Sequence, residues 1–174
     1  MPKKICCILV VLLAAVCSAS VYGQTKASFV SQDGGFTIAL PKDGLQDVDA
    51  VGDAKNGGGT YAWATDDGQF SVSYLDNAFA AQDVSRSLNS LADLILKGPV
   101  NRAATVVGRR QFGADGNTVI EIRLKRPGGS AINRLISVKR RLYVITADWI
   151  EGDGKAAADI LNSFTLVDGT ALIA

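Results

Sequence analysis

Apolar residues recur along this chain at two spacings, and the switches between them mark out the elements. Phe36, Ile38 and Leu40 alternate with smaller or polar residues after a turn signal at Asp33, Gly34 and Gly35, the pattern of a half-buried strand closed by Pro41. Tyr61, Trp63 and Thr65 alternate, Asp66, Asp67 and Gly68 turn, and Phe70, Val72 and Tyr74 alternate again, predicting a hairpin with aromatic rings on one face. The period then changes to that of a helix. Val84, Leu88, Leu91 and Ile95 are spaced by four, three and four, Leu94 widens the stripe, Asp83 is placed to cap it, and Gly98 with Pro99 stops it.

Alternation returns over residues 104–150, where four strands are predicted at roughly 104–112, 118–125, 131–138 and 142–150. Their turns fall at residues 113–116, at Pro127, Gly128 and Gly129, and at Lys139, Arg140 and Arg141. Ile120, Ile122 and Leu124 share one face, and Val119 and Glu121 the other. A second helix over residues 154–162 presents Ala157, Ile160, Leu161 and Phe164 to the sheet, with Asp153 as its cap, before an extended stretch at 164–167 and a frayed tail at 171–174. Residues 42–59, rich in Gly and Asp, have no sustained period and read as a surface loop. Strands followed by a helix, twice over and without βαβ alternation, predict an α+β fold: an antiparallel sheet of about six to seven strands covered by two helices.

One apolar stretch fits neither spacing. Lys3 and Lys4 precede an uncharged run from Ile5 to Val16, and small or polar residues follow, which is the three-part plan of a cleavable export signal. The run is about a dozen residues, short of the roughly twenty that a membrane-spanning helix needs. The reading is a signal peptide over residues 1–23 and a single domain over 24–174, secreted or periplasmic, with no transmembrane segment after cleavage. A lipid anchor on Cys17 is the alternative, but Val16 stands where the processing enzyme takes a small residue.

Removing the leader changes the chemistry that is available. Cys6, Cys7 and Cys17 all lie within it, and the chain has no His. The exported domain is therefore expected to lack disulfides, the ligands that zinc, copper and haem sites use, and the base of a Ser-His-Asp or Cys-His machine. No cofactor and no metal are expected. A hydrolase would have to use Ser-Lys or paired carboxylates, for which Asp66 and Asp67, or Glu121 and Glu151, are the candidates; adjacent Asp before Gly is more simply a turn. Asp43, Asp47, Asp49 and Asp53 offer oxygens to calcium without the EF-hand spacing. Gly57, Gly58 and Gly59 lack the Lys-Ser or Lys-Thr pair of a phosphate loop and read as a flexible loop.

The phrases G-G-F-T-I-A-L-P at residues 34–41, R-L-Y-V-I-T-A at 141–147 and I-L-N-S-F-T-L at 160–166, in this order of elements, resemble the PsbP-like family. That family includes the extrinsic photosystem PsbP proteins, a Ran-binding nuclear import factor and many exported bacterial proteins. The resemblance spans nearly the whole exported domain and rests on packing motifs. It implies a binding or assembly protein without an enzyme active site, and it carries no functional residue to a position here.

Charge supplies the candidate binding residues. Residues 24–100 hold ten Asp against five Lys or Arg, whereas residues 101–150 hold ten Lys or Arg against Asp115, Glu121 and Asp148. Arg109, Arg110, Arg123, Lys125, Arg126, Arg134, Lys139, Arg140 and Arg141 make up much of this basic half, and antiparallel pairing can gather them into a patch for a protein or an anionic surface. A solvated strand face is the plainer reading. Nucleic acid is not expected, since no binding signature accompanies the charge. An aromatic pocket near Trp63 and Trp149, serving a small-molecule carrier, is the second candidate, weighed against the use of aromatic residues as core.

Overall fold

The computed structural model describes residues 27–40, 57–78, 84–114 and 117–167. The leader with Cys17, the four Asp of the acidic loop, the Asp83 cap, the Asp115 turn and the 171–174 tail lie outside them. The elements run β1 (Ala27–Ser31), β2 (Phe36–Leu40), β3 (Gly58–Thr65), β4 (Gly68–Leu75), α1 (Val84–Lys97), β5 (Thr105–Ala114), β6 (Asn117–Arg126), β7 (Gly129–Val138), β8 (Arg141–Trp149), α2 (Lys155–Asn162) and β9 (Thr165–Leu166). The fold is α+β and antiparallel throughout.

The strands form two sheets where the sequence suggested one. Six lie in the order β3-β4-β8-β7-β6-β5, and three in the order β1-β2-β9. The meander β5 to β8 is the local consequence of short turns: Pro127 and Gly128 join β6 to β7, with Gly128 at φ +80°, a conformation open to glycine. What no local pattern shows is that β8 pairs with β4 over its whole length, Leu75 opposite Leu142 and Gly68 opposite Trp149. That pairing welds hairpin and meander into one sheet and leaves β3 and β5 as its edges.

Each face has its own cover. On one, α1 buries Leu88 and Ala92 against Ile120, Ile122, Leu124 and Leu135, with Val84, Leu91 and Ile95 of the stripe read from the sequence partly buried beside them; Leu94, read as widening that stripe, faces solvent instead. On the other, the small sheet and α2 close over an aromatic core. Phe29 meets Tyr61 and Trp63 at ring-centroid distances of 5.2 and 5.1 Å, and Phe36 stacks on Phe164 at 5.3 Å. The eight-residue α2 is too short to stand alone; Ala157, Ile160 and Leu161 pack inward, and the N-cap is Gly154 at φ 72° in place of the expected Asp153, which lies one residue earlier and accepts the Lys155 backbone N–H. Ser163 joins its end to β2 by accepting the Ala39 N–H at 2.9 Å.

Gly58 and Gly59 begin β3 and are not loop. Gly59 faces Tyr74, and a Cβ there would run into the tyrosine ring, so glycine is used to let an aromatic side chain cross the strand. Beyond α1, a 3-10 turn at Pro99–Asn101 extends the predicted stop.

Leu88 is fully buried and Leu94, on the same helix, is 66% exposed. Leu88→Ala is expected to lower stability by about 2–5 kcal/mol and Leu94→Ala by less than about 0.5 kcal/mol, as measured by urea denaturation.

Candidate functional site

Glu121 lies in the middle of β6 between Ile120 and Ile122, and its side chain is 1% exposed. A lone carboxylate there would lose its hydration with nothing in return. Sheet register supplies the return. Arg126 pairs with Gly129 at the β6–β7 turn, and stepping back five residues on each strand sets Glu121 opposite Arg134; on its other side Arg110 of β5 is its partner. Arg134 donates Nε to Glu121 Oε2 at 2.7 Å. Arg110 grips both oxygens, Nε to Oε1 at 3.0 Å and Nη2 to Oε2 at 3.1 Å, and Arg123 donates Nε to Oε1 at 2.9 Å. Four N–H groups thus fill the acceptor positions of one carboxylate.

The three arginines differ in exposure. Arg134 is as buried as Glu121, whereas Arg110 and Arg123 remain 56% and 49% exposed. Arg134 also donates Nη2 to Asn162 at the end of α2, at 2.7 Å, and its Nη1 is buried without a hydrogen-bond partner among the described residues. Three cations on one anion leave two positive charges in excess, at the side facing solvent. Arg110 further lies over the Phe112 ring at 4.9 Å, which fixes its plane. Lys125 is exposed on the same strand face, two residues beyond Arg123.

The remaining basic residues go elsewhere. Arg109 points to the opposite face and donates to Asp93 and Asn89 of α1, both at 2.7 Å. Arg126 pairs with Asp148 at 2.5 Å. Arg141 grips Asp76 with two N–H groups and donates to the carbonyls of Asp33 and Gly34, tying the β1–β2 turn to the large sheet. The Arg141 guanidinium holds the Asp76 carboxyl below the usual range. Arg140 and Lys139 are exposed at the β7–β8 turn, away from the Glu121 cluster.

Trp63 is 2% exposed and belongs to the core, with its indole N–H unpartnered among the described residues. Trp149 is partly exposed and lines a cleft of about 410 Å³ at one end of the sheet; Trp63 does not. A second cleft of about 390 Å³ opens at the other end, beside Lys139 and Arg140. Glu121, with its lone pairs filled, has no position left for a substrate, and Glu151 and the Asp66–Asp67 turn are exposed. Among the described residues no group of three or more acidic side chains can hold a metal ion, and no helix is long and apolar enough to cross a membrane.

The pattern of polar and apolar positions placed Glu121 on the face of Val119 without showing that three arginines converge on it. Counting back from the Pro127-Gly128 turn is the signal that finds it.

Burial pushes the Glu121 carboxyl up, but the hydrogen bonds from Arg110, Arg134 and Arg123 outweigh it and hold it at about 2, against 4.5 for the free group. A carboxyl lowered on folding stabilises fully above the unfolded value and loses that contribution as pH falls. Denaturant titrations should show this stability draining from about pH 4.5 towards pH 2. Glu121→Gln should lack that acid limb and lose about 3–5 kcal/mol at pH 7, because it leaves Arg134 buried without a counter-charge.

No family model matches the chain and no curated protein does so. Among solved structures, the chain is similar to the solution structure of cyanobacterial PsbP (CyanoP) from Synechocystis sp. PCC 6803, at 14% identity and a TM-score of 0.59, covering 84% of this chain and 95% of that one. A crystal structure from Bacteroides thetaiotaomicron VPI-5482 matches at 16% identity and a TM-score of 0.40, over 82% of this chain and 48% of that one, too loose a likeness to argue from. The two-sheet, two-helix arrangement described above is a PsbP-like α+β fold.

Proposed function

We propose that this chain is an exported, non-catalytic binding protein that docks an acidic protein surface through the β5–β6 side of its large sheet. The observation that carries the reading is the arginine cluster. Glu121 and Arg134 hold Arg110 and Arg123 in position, leaving their outer N–H groups towards solvent and two positive charges in excess. Guanidinium groups pre-oriented in this way lose little freedom on meeting a partner carboxylate, and their forked geometry suits it. Their grip on Glu121 is itself an example of the contact.

The export leader supports an extracytoplasmic setting, and the PsbP-like fold supports an accessory role over catalysis. An acidic protein is favoured over a membrane because the cluster presents discrete, directed forks and not a broad basic plane.

Retention on immobilised poly-glutamate tests the reading, with vesicles containing anionic lipid as a comparison. Arg110→Glu combined with Arg123→Glu should weaken binding to poly-glutamate by about tenfold or more. Arg140→Glu combined with Lys155→Glu changes net charge equally at exposed positions elsewhere and should stay close to the parent. Equal losses in the two double variants would reduce the effect to net charge and remove the proposed surface. Preference for vesicles over the polypeptide would refute the protein partner.

A further inference from the structure

We propose that the cleft where the β3–β4 and β6–β7 turns meet the end of β8 binds a neutral saccharide. This site is separate from the β5–β6 surface and does not depend on the function assigned to it. Its volume, about 410 Å³, falls in the range of small-ligand sites. Its wall is amphipathic. Pro127 and Ile150 contribute apolar surface, and Arg126, Asp148 and Gln69 contribute hydrogen-bonding groups; Trp149 borders the cleft, with its ring turned to the other face of β8 from Asp148.

Charge narrows the class of ligand. Arg126 and Asp148 pair with each other at 2.5 Å, so the cleft offers no net charge, and an anionic or cationic ligand would have to break that pair. Each nevertheless keeps hydrogen-bonding capacity. Arg126 commits Nε to Asn101 and Nη1 to Asp148, and Asp148 commits Oδ1, leaving Arg126 Nη2 and Asp148 Oδ2 without partners among the described residues. A donor and an acceptor carried side by side are what adjacent sugar hydroxyls require, since each hydroxyl both gives and accepts.

The pair is held from behind. Asn101 is buried and donates its Nδ2 to the Ile95 carbonyl at the end of α1, at 2.9 Å, so the guanidinium is oriented before any ligand arrives. Burial pushes the Asp148 carboxyl up, opposed by Arg126, which marks an acceptor that has partly lost its water. Such an acceptor bonds a hydroxyl more strongly than one in bulk solvent. The indole of Trp149 lies against Gly154, where a Cβ would strike the ring and where φ is +72°. Glycine there lets the ring seat.

Saturation-transfer NMR and tryptophan fluorescence on the purified protein, with glucose, galactose, N-acetylglucosamine and maltose as probes, test the site. At least one is expected to bind with a Kd on the order of 1 mM. The accompanying fluorescence change should vanish in Trp149→Phe, because Trp63 is sealed in the core. Asp148→Asn should weaken binding about tenfold. Should that variant fail to fold, Gln69→Ala, at an exposed position on the cleft wall, is expected to weaken binding several-fold. Arg140→Glu, at an exposed position at the opposite end of the sheet, should leave sugar binding unchanged. Silence across the four sugars, binding undiminished in the cleft variants, or tighter binding of glutamate or lysine than of any sugar would overturn the assignment.

Discussion

Taking the Glu121 carboxylate and the Arg134 guanidinium out of water costs several kcal/mol for each ion, and the arrangement of the large sheet and α2 answers that cost. The ion pair spans β6 and β7, recruits Arg110 from β5, and reaches through Arg134 to Asn162 on α2. A slip of one residue between β6 and β7 would turn Glu121 towards the α1 face, against Leu88, Ala92 and Leu135 and away from Arg134 and Arg110, while Ile120, Ile122 and Leu124 turned out of that core. Apolar residues of like volume can match such a pair in stability. What they do not supply is a penalty for every other register, nor a means of orienting surface arginines.

The two faces of the sheet are covered unequally, and the candidate sites lie where the covers stop. The small sheet and α2 close the aromatic side over β3, β4 and β8, so Trp63 is core and cannot reach a ligand. Towards β5 and β6 that face carries arginines, with Arg110 laid over the ring of Phe112. The hairpin turns at the ends of the sheet leave clefts, in keeping with the tendency of scaffold edges and loops to bear function while packed layers bear stability.

Charge that is lopsided along the chain is paired across the fold in two places among the described residues. Arg141 and Arg109, from the basic stretch, find Asp76 and Asp93 from the acidic one, fastening β8 to the end of β4 and β5 to α1. Pairs this exposed add little stability individually, but they withdraw Arg109 and Arg141 from any single patch. Of the arginines the composition singled out, Arg110 and Arg123 share a surface, Arg134 supports them from within, and Arg140 lies with Lys139 at the β7–β8 turn. Composition measures how much charge there is; pairing decides how much of it a partner meets.

Every described strand but β1, both helices and most turns were legible in the sequence because alternation, helical period and turn chemistry are properties of neighbouring residues. The absence of His is read at the same level, as is the stripe by which α1 buries Leu88. Only the tertiary structure decided that β8 joins β4, that β1, β2 and β9 leave the main sheet to roof it, and that Glu121 is a buried hub. Those outcomes depend on residues far apart in sequence competing for the same partners, where desolvation and register act together and no local pattern records the winner.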